Sequence, residues 1–223
     1  MSKFFVMFVF ALSTASAQLQ APVPPAPDAL MSALTTEVMA TLRQDKAGGR
    51  KTDLAQLVEA RIVPVFDFPR MTSLALARNW RLASAEQQAV LAAQFQLLLV
   101  RTYSLVLLEF RDQAIDYKPL RAAPGEKEVT VRSAMRRSGV EPLTIDYEMA
   151  DGPAGWKVFD VKVAGVSLVL AYRDSFAQVV RSDGIDGLIK ALEERNRKNL
   201  SGPSEAAKLA PVLMIYGGST AKP

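Results

Sequence analysis

Neither cysteine nor histidine occurs anywhere in this 223-residue chain. Those two absences exclude a good deal of chemistry. Ser-His-Asp and Cys-His nucleophiles need an imidazole base, and zinc sites made of Cys and His have no ligands here. Carboxylate catalysis, an Asp-only metal site and lysine chemistry stay open. No disulfide can form, so a fold that works in an oxidising compartment rests on its core alone. An excess of either charge is lacking as well, with 27 Lys and Arg against 23 Asp and Glu. The formal net charge is +4, too mild to argue for nucleic acid and no obstacle to anionic lipid head groups.

What is present begins with a leader. Lys3 precedes the apolar run Phe4 to Leu12, and Ala15-Ser16-Ala17 is an A-x-A cleavage site. This is the pattern of a secretory signal peptide, too short for a membrane span. Cleavage after Ala17 leaves a mature chain from Gln18. No cysteine follows the leader, which excludes a lipid-anchored lipoprotein. No later segment reads as continuous enough to span a bilayer, so a soluble protein exported to a periplasm is expected. Residues 18–28, with Ala21 to Pro27 as APVPPAP, form an extended linker. A single α+β domain is expected over 29–200, with a helical part at 29–112 and a sheet plus C-terminal helices at 113–200. Residues 201–223 make a tail whose apolar run Val212 to Tyr216 has no account.

Helical periodicity dominates the first half. Asp28 precedes Leu30, Leu34, Val38 and Leu42 at helical spacing. Thr52 or Asp53 opens a second helix that Pro64 kinks or ends. Phe66-Asp67-Phe68-Pro69 reads as a turn and Met71 to Trp80 as a third helix. Ser84 with Gln87 is a capping box. It opens the longest helix, Ala85 to about Arg111, which is apolar over most of its circumference and therefore buried.

From Ala114 the period becomes two. Short strands are expected at Ala114–Lys118, Glu128–Arg137, Leu143–Met149 and Trp156–Val163, with loops at Gly125, Gly139–Pro142 and Gly152–Gly155. Connections this short favour an antiparallel meander. Gly165 ends the last strand, and Ser167 caps a helix that Gly184 terminates, before a final helix from Ile185. Helices, then about four strands, then helices describe an α+β fold with helices on one face of a curved antiparallel sheet.

Several stretches, taken in order, carry a resemblance. In the helical half they are Phe66 to Thr72, Ala75 to Trp80, Ser84 to Gln88 and Leu99 to Ser104. In the second half they are Trp156 to Val161, Gly165 to Val169, Tyr172-Arg173, Ser175-Phe176 and Gly184 to Ile189. Together they resemble the MlaC family of phospholipid carriers, also called the toluene-tolerance family. The likeness runs from about Ala29 to Asn199; the tail beyond Gly202 has no counterpart. It implies a nuclear-transport-factor-like sheet merged with helices and enclosing an apolar cavity for acyl chains. It further implies a periplasmic shuttle between an outer-membrane lipoprotein–porin complex and an inner-membrane ABC transporter with its substrate-binding ring, maintaining outer-membrane lipid asymmetry. Phospholipid is then cargo; no cofactor, metal or nucleic acid is expected, and the chain is expected to be a monomer and not an enzyme.

Such a carrier needs a dry slot of aliphatic and aromatic side chains, since each buried CH₂ is worth roughly 0.8 kcal/mol. The candidates for its wall are Phe95, Leu99, Tyr103, Val106, Val131, Met135, Leu143, Ile145, Tyr147, Val158 and Val166. Periodicity marks burial, however, and the same residues suit a closed core. Met71 and Met135 are flexible enough to follow varied chains, and equally common as core filler. Arg78, Arg81, Arg101 and Arg173 are candidates to meet a phosphate at the mouth, or form solvated faces and ion pairs. Asp67, Asp146 and Asp160 are the best candidates for an acid/base role. Two rival functions follow from the residues: an isomerase or hydratase on the same cone-shaped fold using an Asp base, and a periplasmic chaperone or adaptor binding apolar protein segments.

Overall fold

The computed structural model describes residues 25–48, 53–123, 125–137 and 140–198, without the side chains of residues 105, 106, 137 and 140. The expected leader, most of the linker and the tail lie outside the described residues, as does the Val106 side chain.

Local capping chemistry sets most helix starts. Helix α1 spans Pro27–Gly48. Asp53 accepts from the backbone N–H groups of Ala55 and Gln56 and opens α2, Leu54–Leu57. That helix loosens into a π turn, Val58–Ile62, and tightens into a 3₁₀ turn, Val63–Val65, around Pro64. Asp67 lies at no simple turn. Its carboxylate accepts from Arg70 N–H at 3.0 Å and caps α3, Phe68–Leu76. The third helix therefore starts three residues before Met71, and a 3₁₀ stretch over Ala77–Leu82 replaces its expected end. The Ser84–Gln87 capping box is formed in both directions, at 3.2 and 2.9 Å, and opens α4, Ala85–Phe110.

Five strands follow: β1 Ala114–Tyr117, β2 Glu128–Arg137, β3 Val140–Gly152, β4 Gly155–Val163 and β5 Val166–Ser167. They form one antiparallel meander in sequence order. Ser167, expected to cap a helix, does accept from Leu170 N–H at 2.9 Å, but with Val166 it also forms this fifth strand. Val140 and Pro142, read as loop, lie in β3.

One irregularity in the ladder matters for the cavity. Met149 pairs with Val158 and Glu148 with Asp160, so Phe159 is an extra residue. A bulge of this kind moves every following side chain to the opposite face. Val161 and Val163 thereby share a face with Val158, where strict alternation would have put Asp160 and Lys162.

A 3₁₀ turn, Leu170–Tyr172, leads into α5, Arg173–Lys198. Its two helical halves meet at Gly184, where φ is 71° and ψ −170°. That backbone region is open essentially to glycine alone, so the expected stop became a kink. The main core lies between α3, α4 and α5. There Phe95 meets Tyr172 and Phe176 edge-on, at centroid separations of 5.1 and 5.3 Å. Among the described helices α4 has the length and apolarity to cross a membrane, contrary to expectation. Here its Leu91, Phe95 and Leu98 are fully buried in that core.

Asp160 is buried on the outer side of β4, and holds the turn after β5. One carboxylate oxygen accepts from Val161 N–H at 2.8 Å and Val169 N–H at 3.3 Å. Burial raises its pKa above the ordinary 3.8, against the lowering effect of Ser167 and those two N–H groups. The folded state thus binds this proton more tightly than the unfolded chain does. The stabilisation is fully present below pH 3.8 and is lost as pH rises through the folded value. Asp160→Asn keeps an oxygen acceptor but no titration. Its stability relative to the native chain is expected to improve as pH rises from 3.5 to about 7. Paired thermal melts across that range check this; a constant difference, or one that shrinks, overturns it.

Candidate functional site

A cavity of about 250 Å³, partly open, lies between α1, α4 and the inner face of the sheet. Each wall follows from an amphipathic element. From α1 come Met31, Leu34, Thr35, Val38 and Met39, one helical stripe. From α4 come Leu99, Val100, Tyr103, Ser104, Leu107 and Phe110, the C-terminal turns of the helix, where Leu99 and Tyr103 also touch the edge of the α3–α4–α5 core. Ile115 of β1, Met135 of β2, Leu143, Ile145 and Tyr147 of β3, and Val161 and Val163 of β4 supply the sheet side. The strand register brings these together: Ile115 opposite Met135, Met135 opposite Leu143, Ile145 opposite Val163, and Tyr147 opposite Val161. Ile62, Phe66, Phe68, Met71 and Leu168 complete the lining.

No wall residue carries a carboxylate, ammonium or guanidinium. The side-chain oxygens are those of Thr35, Tyr103, Ser104 and Tyr147. Thr35 and Tyr117 share a 2.6 Å hydrogen bond, and Ser104 donates to the Val100 carbonyl. Burial pushes the Tyr103 and Tyr147 hydroxyls well above their ordinary pKa, so both stay neutral. The space therefore offers neither a general base nor an ionised nucleophile. It can desolvate apolar matter and little else. Among the described residues no cluster of three or more acidic side chains is placed to hold a metal ion.

The residues expected from sequence fall into three groups. Leu99, Tyr103, Met135, Leu143, Ile145 and Tyr147 lie on the wall. Phe95, Val131 and Val158 do not: Phe95 belongs to the α3–α4–α5 core, and Val131 and Val158 pack with Met31, Val129 and Met149. Val166 is displaced furthest. It is 45% exposed, in the short edge strand after the Ala164–Gly165 turn, while Leu168 two residues on reaches the cavity.

The four arginines do not line the cavity either. Arg78 and Arg81 are exposed on the 3₁₀ stretch after α3. Arg101 donates to the Asn196 carbonyl, and Arg173 to the Leu74 carbonyl at 3.0 Å, so both tie α5 to its neighbours. Of the acidic candidates, Asp67 caps α3, Asp146 sits opposite Arg132 and Lys162 in the ladder, and Asp160 holds the β5 turn. None faces the cavity.

The α1 stripe was absent from the expected wall. Its apolar spacing is plain in the sequence, but only the packing of α1 over the sheet edge shows what the stripe faces. Four ties hold it there: Asp28 accepting from Leu120 N–H at 3.3 Å, Thr35 to Tyr117, Arg43 to the carbonyls of Arg111 and Gln113 at 2.7 and 3.3 Å, and Lys46 to Asp112 at 2.6 Å.

With this geometry in place, likeness to known proteins is informative. The family model described as MlaC protein matches residues 32–194. The chain is 26% identical over 185 residues to the toluene tolerance protein ttg2D of Pseudomonas putida, covering 81% of this chain and 82% of that one. It is 22% identical over 199 residues to the intermembrane phospholipid transport system binding protein MlaC of Haemophilus influenzae, covering 87% and 93%. Among solved structures, a phospholipid-binding protein from Ralstonia solanacearum, in complex with a phospholipid, superposes with a TM-score of 0.71 at 37% identity. That match covers 79% of this chain and 100% of the other.

Proposed function

The chain belongs to the MlaC family, and from that premise we propose that it is a periplasmic carrier whose cavity takes the acyl chains of a phospholipid. The observation that carries the reading is the uncharged wall built jointly by α1, α4 and the sheet. Its support is the solved relative at 37% identity, which holds a phospholipid. Leu99, Tyr103, Met135, Leu143, Ile145 and Tyr147, with the α1 stripe, contact the chains, and the head group stays near solvent. Arg43 and Lys46 sit close to Phe110 through their ties to residues 111–113, but those ties already engage them.

Export through the leader, with cleavage after Ala17, places the carrier in the periplasm. It shuttles lipid between an outer-membrane lipoprotein–porin complex and an inner-membrane ABC transporter with its substrate-binding ring. In doing so it maintains outer-membrane lipid asymmetry. It works as a monomer and is a carrier, not an enzyme; the Asp-based isomerase reading has no carboxylate in the cavity to stand on.

Native mass spectrometry of the purified protein, with lipid extraction, tests the reading. Phospholipid is expected to co-purify, or to be captured from vesicles. Protein that emerges empty and stays empty after incubation with vesicles would sink it, and capture of apolar peptides instead would favour the chaperone reading.

A further inference from the structure

Five methionines lie among the described residues, and four of them, Met31, Met39, Met71 and Met135, line the cavity. The fifth, Met149, is fully buried between strands with no exposed surface. In a chain without cysteine, two-electron oxidants find their sulfur only in thioethers. This chain's folded part concentrates that sulfur on the one surface that holds cargo. Flexible thioethers suit a wall that must follow varied chains, but they bring a liability that leucine would not.

We propose that these four methionines make the cavity peroxide-sensitive, and that their oxidation ejects the lipid. The inference rests on the phospholipid-carrier reading. Hydrogen peroxide is small enough to enter the space. A thioether lone pair attacks one peroxide oxygen, the O–O bond breaks and an S–O bond forms. Sulfur loses two electrons, the peroxide is reduced, and the departing hydroxyl leaves as water with the remaining proton. The product is a strongly polar sulfoxide on a wall whose few hydroxyls are largely engaged. Against an acyl chain that dipole has no partner, and the loss of affinity is roughly tenfold or more per sulfoxide. Methionine sulfoxide is reducible enzymatically, so the effect reverses.

The test uses the full mature chain, lipid-free and lipid-loaded, titrated with hydrogen peroxide. Peptide mass spectrometry locates each added oxygen, native mass spectrometry reads lipid capture, and circular dichroism reads the fold. In lipid-free protein the four wall methionines are expected to oxidise well before Met149, and bound lipid to slow them. Oxidised protein that remains folded should capture lipid at least tenfold less well. Methionine sulfoxide reductase with a thiol reductant should restore capture, which simple unfolding damage would not allow.

The variant M31L/M39L/M71L/M135L, compared with itself before and after peroxide, should no longer lose lipid capture on treatment. If that variant does not fold, single Met135→Leu and Met71→Leu chains, each losing one step of the response, serve instead. Met149 oxidising as fast as the others, or fully oxidised protein capturing lipid unchanged, overturns the proposal. Unoxidised native protein that never takes lipid defeats the carrier reading, and the order of oxidation then still reports on the wall.

Discussion

Ile145→Glu is expected to abolish lipid retention, by at least about 100-fold, while Val166→Glu stays within about twofold of the native chain. Ile145 is half-buried on β3, opposite Val163, and faces the cavity. In the lipid-free protein a glutamate there reaches the open space and keeps some hydration. An acyl chain removes that water, and no cation on the wall replaces it. An unpaired buried carboxylate costs several kcal/mol, and each 1.4 kcal/mol is a factor of ten. Protonation is the carboxylate's way out, so burial raises its pKa. Retention by the variant should accordingly recover in part as pH falls towards 5. Val166 lies 45% exposed outside the wall, and a charge there stays in water. Vesicle-capture assays at pH 7 and 5 measure both. Equal loss in the two variants would overturn the placement of the cavity, and an Ile145→Glu chain that loads normally would remove β3 from the wall.

Phe95→Ala is expected to cost about 3–5 kcal/mol of stability without changing lipid affinity in the fraction that remains folded. Phe95 has no exposed surface, and its ring holds Tyr172 and Phe176 edge-on between α4 and α5. Removing it leaves a void the size of a ring where three helices meet, and phenylalanine-to-alanine changes in such places cost this much. For a domain of this size the melting temperature should fall by about 10 °C. Thermal melts and lipid capture below the transition separate the two effects. A lipid affinity that drops as steeply as stability would return Phe95 to the cavity.

These two predictions divide along the line that periodicity does not draw. The helical half was largely legible because capping is local chemistry: the Ser84–Gln87 box and the Asp53 cap each involve residues within three positions. The extent of β2 was equally legible, because alternation over ten residues is a strong signal. The Phe159 bulge was not, since one extra residue leaves no mark in composition yet reverses the faces of Val161 and Val163. Nor was the edge strand at Val166, where Gly165 looked like a passage into helix.

For the site, burial could be read and vacancy could not. Phe95 and Leu99 are both apolar, both buried and four residues apart on α4, yet the ring of Phe95 packs against aromatic side chains while Leu99 borders empty space. Which of two adjacent turns meets a neighbour depends on α1, whose partners are distant in the chain.

That dependence sets an order of assembly. α1 is tied through Asp28 to Leu120 N–H, Thr35 to Tyr117, Arg43 to residues 111 and 113, and Lys46 to Asp112. Each tie closes a loop of more than sixty residues, whereas the meander grows by short hairpins. In a chain delivered N-terminus first α1 comes earliest, when it can meet only the next helical segment, through Glu37 and Arg61 at 2.8 Å, and none of these four ties can form. It waits until β1 and β2 exist. The first helix to be delivered is the last to settle, and a container for lipid exists only once that belated lid has come down.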